Sequence, residues 1–273
     1  MDKVGSATET PRAHSRSSAS GGIGTRHVPY GPLPRQKLDV HLPKSGKARA
    51  VILYLYGGGW VSGARWYYRL FGRTMAARGF GTVVPDYHLY PHAAFPRFVE
   101  DAALAFKWTH DNAARLGGDT SRLFVMGHSA GAHIATLLAL DPKYLRACGL
   151  EPSAIRGVIA MAGPYTLNPF KWSVMKDIFA AAVAEPHGAR PIKLVRAGAP
   201  DMLLLHGASD RVVKAETTVN FASALQEAGS KAEVRLYPRI GHFEIFGAFL
   251  WGWRWRAGVL KDTEDFIAKR VDG

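Results

Sequence analysis

The pentapeptide GHSAG at residues 127–131 places a serine between two glycines, directly behind the apolar run Leu123–Met126. The pattern predicts a buried strand that breaks into a tight turn and resumes as a helix over Ala132–Leu140. At so sharp a turn there is no room for a Cβ on either side of the serine, and the positive end of the helix lies beneath it. A serine held exposed and strained costs stability, which points to chemistry rather than packing. Its hydroxyl is a weak nucleophile at neutral pH. It needs a base within hydrogen-bond reach, and the base needs a carboxylate to fix its tautomer and stabilise its charged form.

The elements that must position such groups follow from the spacing. Val28–Tyr30 and Lys37–Leu42 read as two short strands joined by the turn GPLPR. Ala50–Tyr56 and Gly81–Pro85 are continuous apolar runs expected of covered strands. Tyr67–Arg78 is expected to be helical, and so is the stretch from Pro96 to Gly117–Gly118. Beyond the strand at 122–127 and helix 131–140 come strands Ile155–Met161 and Met202–His206, helix Val213–Ala228, strand Glu233–Tyr237 and a helix near 258–270. This alternation predicts a mostly parallel sheet with helices on both faces.

In an open α/β sheet the working groups lie beyond the carboxyl ends of the strands. Of the eligible acids Asp177, Asp201 and Asp210, Asp201 precedes its strand, whereas Asp210 follows Leu203–His206 through the turn Gly207–Ser209. His242, in the loop PRIGHFE after strand 233–237, is the only histidine C-terminal to Asp210. The order Ser129, Asp210, His242 is that of a known class of triad. The glycines of YGGGW (56–60) free the backbone to aim N–H groups into a cavity. Gly58 and Gly59, with Ala130, are the natural donors to a developing oxyanion, each worth roughly 3–4 kcal/mol. Plainer readings stand beside these: Ser129 as a helix-starting turn residue, Asp210 as the cap of helix 213–228, His242 as a surface loop histidine. Trp60, Tyr165, Phe170 and Phe243 lie beside the same loops, as acyl-pocket or as core aromatics. His128 and His133 lack metal-ligand spacing and are expected to be hydrogen-bonded packing residues. His88, His92, His110, His187 and His206 carry no further signal.

Together these motifs resemble the α/β-hydrolases of the esterase/lipase group related to hormone-sensitive lipase, with its carboxylesterase and arylformamidase-like branches, over roughly residues 26–270. The family's HGGGW stands here as YGGGW, its DYRL-x-P as DYHLYP at 86–91, its elbow as GHSAG, its acid loop as HGASD at 206–210 and its base loop as GH at 241–242. Five motifs in order are far more specific than a lone G-x-S-x-G. The resemblance implies an α/β-hydrolase fold, no metal or organic cofactor, and hydrolysis of esters of short or medium acyl chains through an acyl-enzyme. An arylformamidase-type amidase acting on N-formylkynurenine is the alternative, since GHSAGAH at 127–133 suits that branch equally. A serine peptidase of related fold ranks lower, because the chain has no room for the propeller domain of the commonest ones. A non-catalytic ligand-binding hydrolase fold is the rival from another class, but such proteins usually lose the acid or the base. The departure is Tyr56 where the family has histidine. By resemblance that side chain braces the glycine loop, and Asp86 and Tyr87 steady the loop beneath it.

With 273 residues, 47% hydrophobic and 21% charged, the chain suits one large α/β domain over 26–273. Residues 1–25, rich in Ser, Gly, Thr and Ala, are expected to be a tail, and the irregular stretch 163–200 a small lid-like insertion. The single cysteine, Cys148, reads as a buried apolar residue and fits a reducing compartment. Net charge is +13. No zinc spacing, RNA-binding aromatic motif or recognition-helix pattern accompanies it, so no nucleic-acid partner is expected. No apolar run reaches the roughly 18 residues of a membrane span, and a secretory apolar centre is lacking, so a cytoplasmic location is expected. In Phe246–Trp255 (FGAFLWGWRW) aromatics interleave with Arg254 and are followed by Arg256. Packing over the sheet edge or a dimer contact is expected ahead of contact with a membrane surface. The expected partner is a small-molecule ester.

Overall fold

The computed structural model describes residues 23–272 apart from Trp172, Glu185, Pro186 and Trp251. Within these residues eight strands form one sheet: β1 (Ile23–Pro29), β2 (Lys37–Leu42), β3 (Val51–Leu55), β4 (Gly81–Pro85), β5 (Leu123–His128), β6 (Gly157–Met161), β7 (Met202–Gly207) and β8 (Ala232–Tyr237). Their lateral order is β1-β2-β4-β3-β5-β6-β7-β8. Only β2 runs against the rest, pairing antiparallel with both β1 and β4. The runs VILYL, LFVMGH, GVIAM and MLLLHG of β3, β5, β6 and β7 are buried along their whole length, as strands covered on both faces must be.

Among the described residues the eight α-helices are α1 (Arg69–Ala77), α2 (Arg97–Asp111), α3 (Ala130–Leu140), α4 (Pro142–Ala147), α5 (Ser173–Ile178), α6 (Glu216–Glu227), α7 (Glu244–Gly247) and α8 (Val259–Val271). Every residue of α3 is buried. Its composition, apolar all round, suits a helix enclosed between sheet and neighbouring helices. The ion pair Arg78–Glu264 ties α1 to α8. No helix among the described residues is long and apolar enough to cross a membrane.

Register is what aligns the functional loops. Leu55 at the end of β3 sits opposite Gly127 of β5, so the loop after β3 and the turn after β5 emerge at one level. Gly207 sits opposite Tyr237, which brings the turn after β7 beside the loop after β8. Backbone bonds from Ala208 N to the Tyr237 carbonyl (2.9 Å) and from Ser209 N to the Ile240 carbonyl (3.0 Å) fasten those two loops together.

Two expectations need adjustment. β1 begins at Ile23, within the stretch expected to be a tail, and residues 1–22 lie outside the described residues. The pairing with β2 is interrupted by a register shift between Thr25 and Val28, with His27 at φ 59° and its N–H donating to Asp39 Oδ1 (3.1 Å). A bulge of this kind erases the period-two signature by which a strand is read. Helix α6 starts at Glu216, three residues after Val213, because the preceding residues form the acid loop described below. The stretch 163–200 folds into α5 and short 3₁₀ turns docked on the main body. Phe95 N donates to the Ile178 carbonyl (2.8 Å), Arg196 Nε to the Leu140 carbonyl (3.1 Å) and Thr166 N to Thr217 Oγ1 (3.0 Å).

Candidate active site

Ser129 stands at the apex between β5 and α3 with φ 54° and ψ −121°, a conformation that costs a non-glycine residue about 1–3 kcal/mol. It persists because its surroundings leave no alternative. A Cβ on Gly131 would lie 2.0 Å from the Leu55 carbonyl oxygen, and one on Gly127 would lie 2.3 Å from the Gly131 carbonyl oxygen. The elbow is therefore pressed, backbone to backbone, against the end of β3. Ser129 N–H donates to the Met161 carbonyl (2.8 Å), which anchors the turn to β6.

Three distant side chains meet here. His242 Nε2 lies 2.9 Å from Ser129 Oγ, and His242 Nδ1 lies 2.7 Å from Asp210 Oδ2. A carboxylate accepts, so Nδ1 carries the proton and Nε2 faces the serine as an acceptor. Asp210 and His242 are both buried. Asp210 does not cap α6. Its Oδ1 accepts the N–H groups of Val212 and Val213 (2.8 Å each), closing the acid loop on itself. Burial alone would push the Asp210 carboxyl up, but hydrogen bonds from His206, His242 and the Val213 N–H outweigh it and hold the group well below the usual carboxylate range. The site thus carries a fixed negative charge on Asp210 beneath the His242 ring.

Two further histidines brace this pair. His206 Nε2 lies 3.2 Å from Asp210 Oδ2 and 2.9 Å from the Val213 carbonyl, and its Nδ1 lies 2.6 Å from Thr218 Oγ1. The carbonyl can only accept, so Nε2 of His206 donates and becomes a second donor to the acid. His128 Nε2 donates to the His242 carbonyl (2.8 Å), and burial with the nearby His242 pushes its pKa down to about 4. It is a neutral strut for the base loop. This matches the hydrogen-bonded packing role expected of His128. His206 carries no signal in the sequence beyond its place four residues before Asp210 across a turn.

The glycine loop lies against Ser129. A Cβ on Gly57 would sit 3.1 Å from both Ser129 Cβ and His128 Nδ1. Gly58 (φ 129°) and Gly59 (φ 62°) adopt backbone that disfavours side chains, and the Gly58 carbonyl closes the turn by accepting Val61 N (3.1 Å) and Ser62 N (3.0 Å). Among the described residues the N–H groups of Gly58, Gly59 and Ala130 donate to no protein acceptor. Tyr56, at the foot of the loop, is fully buried. Its hydroxyl donates to Asp86 Oδ1 (3.0 Å) and accepts from Arg35 (3.3 Å), while Tyr87 Oη donates to the Tyr56 carbonyl (2.6 Å). Burial and then the Asp86 carboxylate hold the Tyr56 phenol far above its ordinary pKa, so it remains a donor. Asp86 is itself anchored by Arg65, through the backbone N–H (2.7 Å) and the guanidinium. Arg35 donates in addition to the carbonyls of Gly63 (2.9 Å) and Tyr87 (2.6 Å).

The four pocket candidates separate. Trp60 is buried among Phe98, His133 and Phe179, with Phe179 edge-on at 5.0 Å, and its indole N–H has no partner among the described residues. Tyr165 is wholly buried and stacked on Phe221 of α6 (4.7 Å, 17°). Phe170 is half-buried against the core. Phe243 is exposed at the mouth, edge-on to His242 at 5.1 Å. His133, one turn beyond Ser129, donates to the Ala189 carbonyl (2.9 Å) and so ties α3 to the 163–200 insertion. Asp201 lies at the other end of the sheet, paired with Arg270 (2.9 Å), and Asp177 is exposed on α5. In Phe246–Trp255, Phe246 and Phe249 pack with Phe71, whereas Trp253 and Trp255 are exposed; Trp251 lies outside the described residues.

The comparisons with known proteins agree with this architecture. Residues 38–225 match the BD-FAE family. The chain is 30% identical to esterase LipC of Mycobacterium tuberculosis over 83% of its own length and 59% of that protein's. It is 27% identical to a probable isoprenylcysteine alpha-carbonyl methylesterase, ICMEL1 of Arabidopsis thaliana, over 81% of its length and 51% of that protein's. The chain thus spans little more than half the length of these curated relatives. Among solved structures, a truncated carbohydrate esterase from gut microbiota superimposes with a TM-score of 0.77 at 21% identity, covering 93% of this chain and 98% of the other. Esterase 2 of Thermogutta terrifontis in its apo form superimposes at 0.74 with 25% identity, covering 91% and 94%. By the length of the family match and by its eight-stranded, mostly parallel sheet, this chain belongs to the BD-FAE family, within the α/β-hydrolase superfamily.

Proposed function

We propose that the protein is a serine carboxylic-ester hydrolase that works through an acyl-enzyme. The observation that carries this reading is the unbroken relay Asp210–His242–Ser129, with both links at hydrogen-bond distance (2.7 and 2.9 Å). Ser129 Oγ attacks the acyl carbon while His242 Nε2 takes its proton. Asp210 stabilises the imidazolium that results. The free N–H groups of Gly58, Gly59 and Ala130 receive the negative charge that develops on the carbonyl oxygen. His242 then donates its proton to the leaving alcohol, the ester C–O bond breaks, and the acyl group stays on Ser129. A water deprotonated by His242 releases the acid and restores the serine.

The relatives support an ester as the substrate, since they are named as esterases and methylesterases. A short- to medium-chain acyl group fits the chemistry of Thermogutta terrifontis esterase 2, a 25%-identical neighbour solved with propionate bound. Ser129→Ala lowers turnover of p-nitrophenyl butyrate by about 10⁴-fold or more, with the melting temperature kept within a few degrees. A residual acyl-enzyme burst in that variant contradicts the assignment of the nucleophile. Wild-type protein is expected to cleave the butyrate ester in preference to a formyl-anilide; the reverse order would move the reading to the amidase branch.

A further inference from the structure

Exposed apolar side chains are distributed unevenly over this molecule. Of the twelve large ones found among the described residues, ten lie on segments at the carboxyl-end side of the sheet, where Ser129 also lies. Only Val219 on α6 and Leu236 on β8 fall elsewhere. The bulkiest form two groups. Trp66, Tyr67 and Leu70 follow the glycine loop at helical spacing, with exposures of 50%, 61% and 58%; Phe243, Trp253 and Trp255 follow the base loop, at 74%, 45% and 83%.

The two groups belong to one surface, because the elements that carry them are packed together. Phe246 lies edge-on to Tyr68 at 5.3 Å, Phe249 lies edge-on to Phe71 at 5.3 Å, and the Trp253 ring lies over Gly247. Phe243, edge-on to His242, is exposed at the mouth on the same loop. Cations border the same face. Arg211 and Lys214 on the acid loop, Arg239 on the base loop and Arg254 beside the tryptophans have no acidic partner among the described residues. Of the carboxylates on these loops, Asp210 is buried and taken by His242 and His206, and Glu244 by Arg256 (3.0 Å) and the Gly241 N–H (2.6 Å); Asp177 on α5 and Glu216 at the start of α6 are exposed nearby.

We infer that this face docks on the surface of an anionic phospholipid bilayer. Indole and phenol rings, apolar in body and polar at one edge, suit the headgroup level of a membrane, and unpaired arginine and lysine suit its phosphates. The chain as a whole, at +13, is attracted to such a surface. A second copy of the chain is a poorer occupant, since a two-fold contact would bring the same cations face to face. The first 22 residues are a poor cover as well: they contain no aromatic residue, and three basic residues against two acidic ones. Docked in this way, the mouth beside His242 faces the lipid, and an ester dissolved in the bilayer reaches Ser129 without crossing water; that last step rests on the hydrolase reading, while the docking itself does not.

Co-sedimentation of the full chain with vesicles of phosphatidylcholine and phosphatidylglycerol at about 7:3 tests the docking directly. Wild type and Ser129→Ala are expected to bind alike. Trp253→Ala/Trp255→Ala and Trp66→Ala/Leu70→Ala are each expected to weaken binding about tenfold, with turnover of a water-soluble ester unchanged. Binding to pure phosphatidylcholine is expected to be weaker by a similar factor. All four tryptophan and leucine positions are exposed, so these variants fold, and a circular dichroism melt verifies it. No binding of wild type to anionic vesicles overturns the proposal. So does binding that high salt abolishes and the aromatic substitutions leave untouched, which would be charge alone, and so does a solution dimer that Trp253→Ala/Trp255→Ala splits.

Discussion

Tyr56 answers at the residue scale the question raised by its replacing a histidine. Its phenol is the meeting point of Arg35 and Asp86, and Asp86 in turn holds the backbone of Arg65 on the far side of the glycine loop. The brace is rebuilt with different chemistry. Tyr56→Phe removes one hydrogen bond to the buried Asp86 carboxylate, whose Oδ1 keeps the Arg65 N–H, and is expected to cost about 1.5–3 kcal/mol of stability, read from a urea midpoint. Tyr56→His is expected to keep measurable turnover of a p-nitrophenyl ester, because bracing tolerates a substitute that direct contact with substrate would not; complete loss contradicts the bracing role. His206 makes a second residue-scale test. Removing its donor to Asp210 with His206→Leu is expected to lower kcat about tenfold with little change in KM, since Asp210 and His242 stay in place but less firmly held. A KM effect alone would make His206 a residue of the fold only. The sequence exposes Ser129, Asp210 and His242 as candidates because strand ends restrict which side chains can meet. It is silent on Arg35, Arg65 and His206, whose roles depend on contacts between segments far apart in the chain.

The decisive contacts between elements are made by backbone, which explains where the glycines fall. A Cβ on Gly131 meets the end of β3, and one on Gly207 would lie 2.2 Å from the Ile240 carbonyl oxygen, so glycine lets the acid and base loops touch. Gly131→Ala is expected to destabilise by the order of 3 kcal/mol and to depress turnover further than the loss of folded protein accounts for, because the Ala130 N–H must shift. Gly46, at φ 69° with open space around it, is the control. Gly46→Ala is expected to cost only about 1–2 kcal/mol of left-handed strain and no specific activity. Equal losses in the two variants would show that close approach is not what the elbow glycine supplies. At this scale the continuous apolar runs of β3, β5, β6 and β7 make the sheet legible in the sequence. β1 is partly hidden because its bulge at His27 breaks the alternation. The start of α6 is blurred because a hydrogen-bonded acid loop, like a helix start, is rich in short backbone contacts.

For the whole molecule, buried histidines set a dependence of stability on pH. Burial lowers both His128 and His133 to about 4 in the fold, from an ordinary value of 6.5. Between these values the unfolded chain binds the extra protons, so stability is lost as pH falls from about 6.5 to about 4, and these groups make no contribution to the slope outside that window. Each histidine accounts for up to about 3 kcal/mol across it. The urea midpoint is expected to drop over this range, and His133→Gln, which keeps a donor for the Ala189 carbonyl, is expected to flatten the decline; an unchanged slope contradicts the burial argument. Strand–helix alternation identifies the α/β class, and the cationic excess points outward to partners, but only the fold reveals that exposed aromatics gather around the mouth of the site. The central claim is that Ser129 is the one hydroxyl activated by a paired imidazole, and intact-protein mass after treatment with a fluorophosphonate tests it most directly. The account predicts a single covalent adduct on wild type, mapped to the peptide containing Ser129, with no adduct on Ser129→Ala and far slower labelling of His242→Gln. An unlabelled wild type, or an adduct that persists in Ser129→Ala, would contradict it.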